Sequence, residues 1–427
     1  MPYDIAVSNQ QSDADDAGRF LRMSAMRTAS AAIVAAALLF GGSDVAANPP
    51  RPTPATPVDL GSAAPPLTGL IGRVENFGER NAVRMVSKLA GGGGIRYVQL
   101  GDSHTAADFM TDAIRTRMFA DSGRGGLGWA TPVNVPGQRI ARVTVTGTDF
   151  RLVNSRDAGS DDYPLGGMYA TASTPGAAIT VAAWTGSPVQ TVDVLLRQPP
   201  GDRPVVIEGA DGTKQQLSKS IRDGAWHTVR FRAQLPFTLR SRGARTDVGG
   251  WWLSSKNGAH VSALGINGST LSQWSRWRAG WMEDLSAAQP DVIALAYGTN
   301  EAFSATFDGD AFRQELTHAV EGLRTRFPNT AILIVGAPET LKSKAGDCGI
   351  RPEPLDAIQT IQREVASAQR TLYWDWQRAM GGRCAMTQWI RNGLGNPDGV
   401  HFTAEGYQRL GEDLYQGLTR PVASSAH

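Results

Sequence analysis

The sequence predicts an α/β domain with a parallel, three-layer sheet that is interrupted by a β-sandwich insert. On both sides of the insert, short apolar runs alternate with amphipathic segments of helical periodicity, which is the pattern of a parallel sheet covered by helices. Between residues 131 and 258 the helical periodicity nearly disappears. Short β-type runs recur there about every ten residues, separated by Gly, Asp and Pro, as in a sandwich with a jelly-roll-like arrangement.

The N-terminal segment has the pattern of an export signal. Arg22 and Arg27 precede an apolar run at 31–40, and small residues follow it. This order is typical of a secretory signal, and the run is short for a membrane span. We predict a signal peptide over 1–47, a periplasmic or secreted protein, and no stable membrane insertion after signal removal. An uncleaved N-terminal anchor is the alternative.

The first part of the α/β domain is predicted over 70–130, after a proline-rich linker at 48–69. Helical periodicity predicts helices over 75–89 and 106–120, and an apolar run predicts a buried strand at 97–100. A glycine-rich segment at 123–129 follows. It lacks the Gly-Lys-Ser/Thr continuation of a phosphate-binding loop, so we expect it to contribute backbone to a cleft.

The predicted insert, residues 131–258, contains seven β-type runs: 140–145, 177–183, 192–196, 205–208, 227–231, 237–240 and 251–253. The second part of the α/β domain is predicted over 259–420, with a tail at 421–427. Its predicted strands are 261–264, 291–297, 331–335 and 372–375, and its predicted helices are 311–327, 355–368 and 404–418.

Four short segments with polar side chains lie at strand ends or before the last helix: G-D-S-H at 101–104, G-I-N-G-S-T at 265–270, G-T-N-E at 298–301 and D-G-V-H at 398–401. Ligands bind at the carboxyl edge of such a sheet, so we expect these segments to meet there. Ser103 would be the nucleophile, His401 its base and Asp398 the partner of the imidazole. The backbone N–H groups of Ser103 and Gly268 and the Asn300 amide would form an oxyanion hole. Each segment alone also fits a cap or a turn, but their combination favours serine hydrolysis.

Composition and motifs exclude several other classes of protein. The net charge of +2 and a charged fraction of 19% do not fit a nucleic-acid-binding protein. The sequence contains no H-E-x-x-H or paired-cysteine motif, so we expect no metal and no cofactor. Cys348 and Cys384 are the only cysteines. Export would allow them to form a disulfide, and two free buried thiols are the alternative.

The order of the four segments resembles the SGNH (GDSL-like) hydrolase superfamily, over residues 70–130 and 258–420. The resemblance implies a flavodoxin-like fold, with Ser103, Gly268, Asn300 and His401 as the residues that give the superfamily its name and Asp398 completing the triad. The chain departs from the common pattern in two places. His104 stands where leucine is common, and Glu301 stands where aspartate is frequent.

A narrower resemblance is to periplasmic peptidoglycan O-acetylesterases. It rests on G-D-S-H-T-A-A-D-F, G-R-G-G-L-G-W, A-L-G-I-N-G and W-D-W, and on a β-domain between the first and second segments. In that group the insert resembles a carbohydrate-binding module. The resemblance implies an exported serine esterase that removes O-acetyl groups from a cell-wall polysaccharide, with peptidoglycan as the expected substrate.

Two alternatives stay open at the level of sequence. A polysaccharide O-acetyltransferase would use the same acyl-enzyme, because the two reactions differ only in whether water or a sugar hydroxyl reaches it. A non-catalytic glycan-binding factor would use aromatic side chains of the insert: Trp184, Trp226, Trp251 and Trp252. The expected partner in every case is an acetylated polysaccharide, while the oligomeric state is left open.

Overall fold

The computed structural model describes residues 73–423, except residues 92, 158–161, 185, 187 and 218–220. The predicted signal peptide at 1–47 and the linker at 48–69 lie outside the described residues. Among the residues that are described, no helix is both long and apolar enough to cross a membrane.

The strands, in chain order, are β1 Val74–Asn76, β2 Arg96–Gly101, β3 Gly128–Ala130, β4 Val143–Thr148, β5 Arg151–Asn154, β6 Met168–Ala172, β7 Ala178–Ala183, β8 Gln190–Arg197, β9 Val206–Gly209, β10 Lys214–Gln216, β11 His227–Ala233, β12 Phe237–Arg240, β13 Thr246–Ser254, β14 His260–Gly265, β15 Val292–Ala296, β16 Ala331–Val335, β17 Leu372–Trp374 and β18 Val422–Ala423. The helices are α1 Ala82–Ala90, α2 Ser103–Ala106, α3 Phe109–Ser122, α4 Trp281–Leu285, α5 Thr299–Ala302, α6 Gly309–Arg326, α7 Leu355–Ala368, α8 Trp376–Met380, α9 Ala385–Arg391 and α10 Ala404–Thr419, with 3₁₀ helices at Leu271–Arg276 and Ser286–Ala288. We call the segment from β3 to β13 the β-rich region and the rest of the described chain the α/β region.

The α/β region is built on one seven-stranded sheet with the order β14-β2-β15-β16-β17-β1-β18. The first five of these strands are parallel to one another. Numbered along the chain, these five have the order 2-1-3-4-5, which is the flavodoxin-like order. The predicted fold is therefore confirmed, and the order reverses between β2 and β15.

Helices cover both faces of this sheet. Helices α1, α3 and α10 supply the apolar side chains on one face, and α6 and α7 supply those on the other. Strands β15 and β16 are buried along their whole length because neither face reaches water. This is why continuous apolar runs, rather than alternating ones, mark these strands in the sequence.

The edge of the sheet differs from the prediction. A helix was expected over 75–89, but Val74–Asn76 form strand β1, which pairs antiparallel with β17. The Asn76 side chain accepts hydrogen bonds from the N–H groups of Gly78 and Glu79, so the chain turns there and the helix begins only at Ala82.

A second difference concerns the predicted helix over 106–120. The structure has two helices there, α2 and α3. They are separated at Asp108, whose φ of 47° lies in the left-handed region. The Asp108 carboxylate accepts the N–H of Ala141 at 2.7 Å and a hydrogen bond from Arg115 at 3.0 Å. The break therefore ties the start of α3 to the segment that leads into β4.

The β-rich region is a sandwich of two antiparallel sheets, as predicted. One has the order β10-β9-β12-β7-β4, and the other has the order β11-β8-β13-β6-β5, with β3 paired to β13. Side chains alternate between core and solvent, as in β11, where the buried Val229 and Phe231 alternate with the exposed Thr228, Arg230 and Arg232. A separate apolar cluster fills the space between the sheets.

The two regions share a hydrophobic core. Trp129, Tyr163 and Trp252 of the β-rich region belong to the same buried cluster as Val98 and Leu264 of the α/β sheet. The described residues between 73 and 423 accordingly belong to one compact unit by their contacts.

Only the end of the glycine-rich segment at 123–129 lines a cavity, where Trp129 lies beside Thr105, Ala106 and Gly265. The rest of the segment runs beside the beginning of β14, where a Cβ at Gly125 would lie 2.0 Å from the carbonyl oxygen of Ala259. The glycines allow close backbone packing at the beginning of β14, near His260. Gly265 and the loop that follows it lie at the other end of that strand.

Candidate active site

The predicted nucleophile lies where β2 gives way to α2. Asp102 caps α2, because its Oδ1 accepts the N–H of His104 at 2.9 Å. Ser103 is the first residue of the helix and is partly exposed. Its Oγ lies 2.9 Å from Nε2 of His401, 298 residues later in the chain. The turn thus presents the serine hydroxyl directly to an imidazole.

His401 is held by a carboxylate on its other side. Its Nδ1 lies 2.7 Å from Oδ2 of Asp398, and the Asp398 Oδ1 accepts the backbone N–H groups of Val400 and His401 at 2.8 and 2.9 Å. Partial burial acts to raise the pKa of Asp398, but these hydrogen bonds and the His401 ring outweigh it and keep that pKa below its ordinary value. Asp398 is therefore ionised near neutral pH and favours the tautomer with a proton on Nδ1.

The two remaining segments meet beside α2, which begins at Ser103. The N–H of Ile266 donates to the carbonyl oxygen of Gly101 at 3.1 Å, which places the 266–269 turn next to α2. One N–H of the Asn300 amide donates to the carbonyl oxygen of Ser269 at 2.8 Å. This bond fixes the amide and leaves its second N–H for another acceptor.

The buried Glu301 side chain links the turn at 266–269 to the segment that carries Asn300. Its Oε1 accepts the N–H of Leu271 at 2.8 Å and its Oε2 accepts that of Gly298 at 2.9 Å. Burial raises the pKa of Glu301 to about 7, and burial, with a further contribution from the Glu301 charge, raises that of Asp102 to about 8. Two buried carboxyl groups thus lie beneath the candidate site, outside the Ser103–His401–Asp398 chain of hydrogen bonds.

His104 follows the nucleophile but faces the core. It is 1% exposed, its Nδ1 lies 2.8 Å from the Tyr407 hydroxyl, and its ring centre is 5.3 Å from that of His401. Burial and the nearby His401 lower its pKa to about 3, so the ring is neutral at physiological pH. The imidazole that faces the Ser103 hydroxyl is that of His401.

The two cysteines form a disulfide, as expected, with their Cα atoms 4.6 Å apart. The N–H of Cys384 donates to Glu339 Oε1 at 3.0 Å. Close by in the chain, the N–H of Leu341 donates to the carbonyl oxygen of Gly399 at 2.8 Å. The disulfide therefore braces the loop that supports the turn carrying Asp398 and His401.

The tryptophans considered for sugar stacking are mostly core residues. Trp226, Trp251 and Trp252 are 6%, 0% and 2% exposed, so the expectation that they face a glycan is wrong. Their indole rings fill the sandwich and its junction with the α/β region, where large apolar area is buried. Trp184 is 43% exposed and is the one member of that set on the surface.

Sequence reasoning missed the part of this site that comes from the β-rich region. Nη1 of Arg156 donates to the carbonyl oxygen of Asn267 at 2.5 Å, and the Asn267 amide donates to the carbonyl oxygen of Gly137 at 2.9 Å. An isolated arginine and a backbone carbonyl carry no sequence motif, so no pattern could have indicated them. Over the described residues, no group of three or more His, Cys, Asp or Glu side chains could hold a metal ion.

Two family models match the chain. Residues 125–238 match the N-terminal part of peptidoglycan O-acetylesterase, and residues 220–409 match the GDSL-like lipase/acylhydrolase family. No curated protein matches the chain.

Solved structures also match. A peptidoglycan O-acetylesterase is 38% identical over 81% of this chain and 97% of its own, with a TM-score of 0.74. A putative GDSL-like lipase from Parabacteroides merdae is 21% identical over 38% of this chain and 72% of its own, with a TM-score of 0.32. An acetyl xylan esterase is 16% identical over 37% of this chain and 80% of its own, with a TM-score of 0.31.

Proposed function

Because this chain belongs to the peptidoglycan O-acetylesterase family and is an SGNH-type serine esterase, we propose that it removes O-acetyl groups from peptidoglycan outside the cytoplasm. The observation that carries the proposal is the continuous chain of hydrogen bonds from Ser103 through His401 to Asp398, at 2.9 and 2.7 Å. The export-type segment before residue 48 and the Cys348–Cys384 disulfide support action in an oxidising compartment.

The proposed reaction begins with attack by Ser103 Oγ on the acetyl carbonyl carbon, while His401 Nε2 takes the hydroxyl proton. The carbonyl oxygen becomes an oxyanion, which accepts hydrogen bonds from the N–H groups of Ser103 and Gly268 and from the free amide N–H of Asn300. When the tetrahedral intermediate collapses, the C–O bond to the sugar breaks and His401 gives its proton to the departing hydroxyl.

The second half returns the enzyme to its starting state. Water attacks the acetyl-serine as His401 takes one of its protons, and a second tetrahedral intermediate forms. Its collapse breaks the bond to Ser103 Oγ, returns the proton to that oxygen and releases acetate. Asp398 stays ionised throughout and stabilises the imidazolium that forms twice in the cycle.

The proposed domain division assigns 70–130 and 259–420 to the hydrolase domain and 131–258 to a carbohydrate-binding-module-like insert. The test of the proposed function is acetate release from O-acetylated peptidoglycan, compared with the Ser103→Ala variant and with de-acetylated peptidoglycan. We expect release only with the acetylated polymer and the intact serine. Transfer of acetyl to an added sugar acceptor, without free acetate, would instead assign an O-acetyltransferase.

A further inference from the structure

We propose that Arg156, which the β-rich region supplies, is a positioning residue of the oxyanion hole. It would hold and polarise the peptide group whose N–H belongs to Gly268. The inference rests on the proposed role of that N–H in serine esterase chemistry, and it does not depend on which acetylated glycan is the substrate.

The Gly268 N–H belongs to a β-turn with two possible peptide orientations. The N–H of Ser269 donates to the carbonyl oxygen of Ile266 at 3.0 Å, and Gly268 has a φ of 70°. Asn267 is not among the residues with positive φ, so the turn is type II. Type I and type II turns differ by a half-rotation of the central peptide, which here joins Asn267 to Gly268. Such a rotation would turn the Gly268 N–H to the opposite side of the turn.

Arg156 contacts the other end of that same peptide group. Its Nη1 donates to the carbonyl oxygen of Asn267 at 2.5 Å. In a trans peptide the C=O and N–H point in opposite directions, so fixing the oxygen also fixes the direction of the Gly268 N–H. A rotation would break a charge-assisted hydrogen bond, which is about twice as strong as a neutral one. A cation on the carbonyl oxygen also polarises the peptide and makes its N–H a stronger donor.

The guanidinium also lies directly against Gly268. A Cβ at this position would lie 2.7 Å from Nη1 of Arg156 and 2.8 Å from its Cζ. The left-handed φ thus favours glycine at this position, and any side chain there would displace the guanidinium from it. We infer that Arg156 and Gly268 act as one unit.

The segment that carries Arg156 is itself held in place. The N–H of Arg156 donates to Asn154 Oδ1 at 3.0 Å, and Arg276 donates to the carbonyl oxygens of Asp157, at 2.9 Å, and of Ser155. Because its backbone is anchored on both sides, only the side-chain rotamer of Arg156 remains to be fixed when it binds Asn267. The contact is therefore organised before substrate arrives.

The test is steady-state hydrolysis of 4-nitrophenyl acetate by the full chain carrying Arg156→Ala, Arg156→Met or Arg156→Lys. Loss of a whole oxyanion donor costs about 10²- to 10³-fold in turnover. Here the N–H remains and only its orientation and strength change. We expect kcat to fall roughly 10- to 100-fold in the Ala and Met variants with KM nearly unchanged, since the contact matters for the transition state. The Lys variant should recover part of the loss, because an ammonium can still donate to the Asn267 oxygen.

The matched control is Arg151→Ala, an exposed arginine on β5 five residues earlier, which should leave kcat, KM and Tm unchanged. Partial recovery of the Ala variant by added methylguanidinium would further support the proposal. Three results would overturn it: kcat within twofold of wild type in the Ala and Met variants, a change confined to KM, or a fall in Tm that accounts for the lost activity in all three variants. Since the ester is small and carries no glycan, failure of the wild type to act on peptidoglycan would leave this comparison interpretable.

Discussion

The α/β region and the β-rich region reach the candidate site with different kinds of group. The α/β region brings a hydroxyl, an imidazole and a carboxylate, joined by hydrogen bonds of 2.9 and 2.7 Å. The β-rich region brings a guanidinium and a backbone carbonyl, both directed at Asn267 and neither at Ser103. We infer that the α/β region supplies the groups that react, and that the β-rich region holds the turn that carries Asn267 and Gly268. The following predictions test this division of roles.

The largest expected effect lies in the α/β region. Ser103→Ala and His401→Ala should each lower turnover of a small acetyl ester by ~10⁴- to 10⁶-fold, because members of a triad act as a unit. Circular dichroism and Tm should match the wild type, since both side chains are partly exposed. Turnover near the wild-type value in either variant would show that the substituted residue does not take part in the reaction, and would contradict the role assigned to the α/β region.

Asn300→Ala should have a smaller effect, about 10²- to 10³-fold in kcat, with little change in KM. Its amide has one N–H on Ser269 and the other free for the oxyanion, so the variant loses both a donor and a tie between two loops. Steady-state kinetics separate the possibilities. A change in KM alone would show that Asn300 contacts the ground-state substrate rather than the transition state.

On the surface of the β-rich region, Trp184→Ala should reduce kcat/KM on acetylated polymer by about 2- to 10-fold and leave a small ester unaffected, as expected for one aromatic contact with a sugar ring. The buried Trp226 is unsuitable for this test because its removal would leave a cavity. Polymer and small-ester kinetics are measured side by side. Equal activity of the variant and the wild type on polymer would leave the β-rich region with a holding role only.

The smallest effect concerns pH. Because burial raises the pKa of Glu301 to about 7, the folded state keeps this proton over a range in which the unfolded chain has lost it. The free energy of unfolding therefore falls as pH rises from about 4.5 to about 7, and Asp102 acts in the same direction up to about 8. Glu301→Gln should reduce the decline in the free energy of unfolding between pH 5 and 8 by on the order of 1–3 kcal/mol, and Tm measured against pH should fall less steeply than in the wild type.

The exposed Glu405, with Glu405→Gln as its matched substitution, is the control for that experiment. The comparison is between slopes against pH, because Gln cannot accept both backbone N–H groups as Glu301 does. Parallel Tm curves for wild type and Glu301→Gln would show that Glu301 is not protonated in the folded protein at neutral pH.

The parts of the fold with strong periodicity were predictable. Strand β16 and helix α7 begin and end where the sequence places them, because a continuous apolar run and an amphipathic repeat each have a single good solution. Strand β1 was not predictable, since its three residues carry no measurable alternation. It depends on pairing with β17, in which Val74 lies opposite Trp374, about 300 residues later in the chain. Tertiary pairing decided what local pattern could not.

The candidate site divides in the same way. Ser103 and His401 belong to motifs, because the chemistry restricts both the residue type and its place after a strand or before a helix. Arg156 belongs to none, since any chain segment that reaches Asn267 could carry a donor there. The orientation of a peptide group such as the one between Asn267 and Gly268 depends on contacts that only the folded chain defines.

The shared core of the two regions has a consequence for how this protein can change over evolutionary time. Trp129 and Trp252 of the β-rich region pack in one cluster with Val98 and Leu264 of the α/β sheet. The β-rich region also buries a core between its own sheets, but its removal would leave the apolar surface that Trp129 and Trp252 cover exposed on the α/β region. A substitution in the shared core on one region must therefore be accommodated by side chains of the other, so we expect the two regions to evolve together.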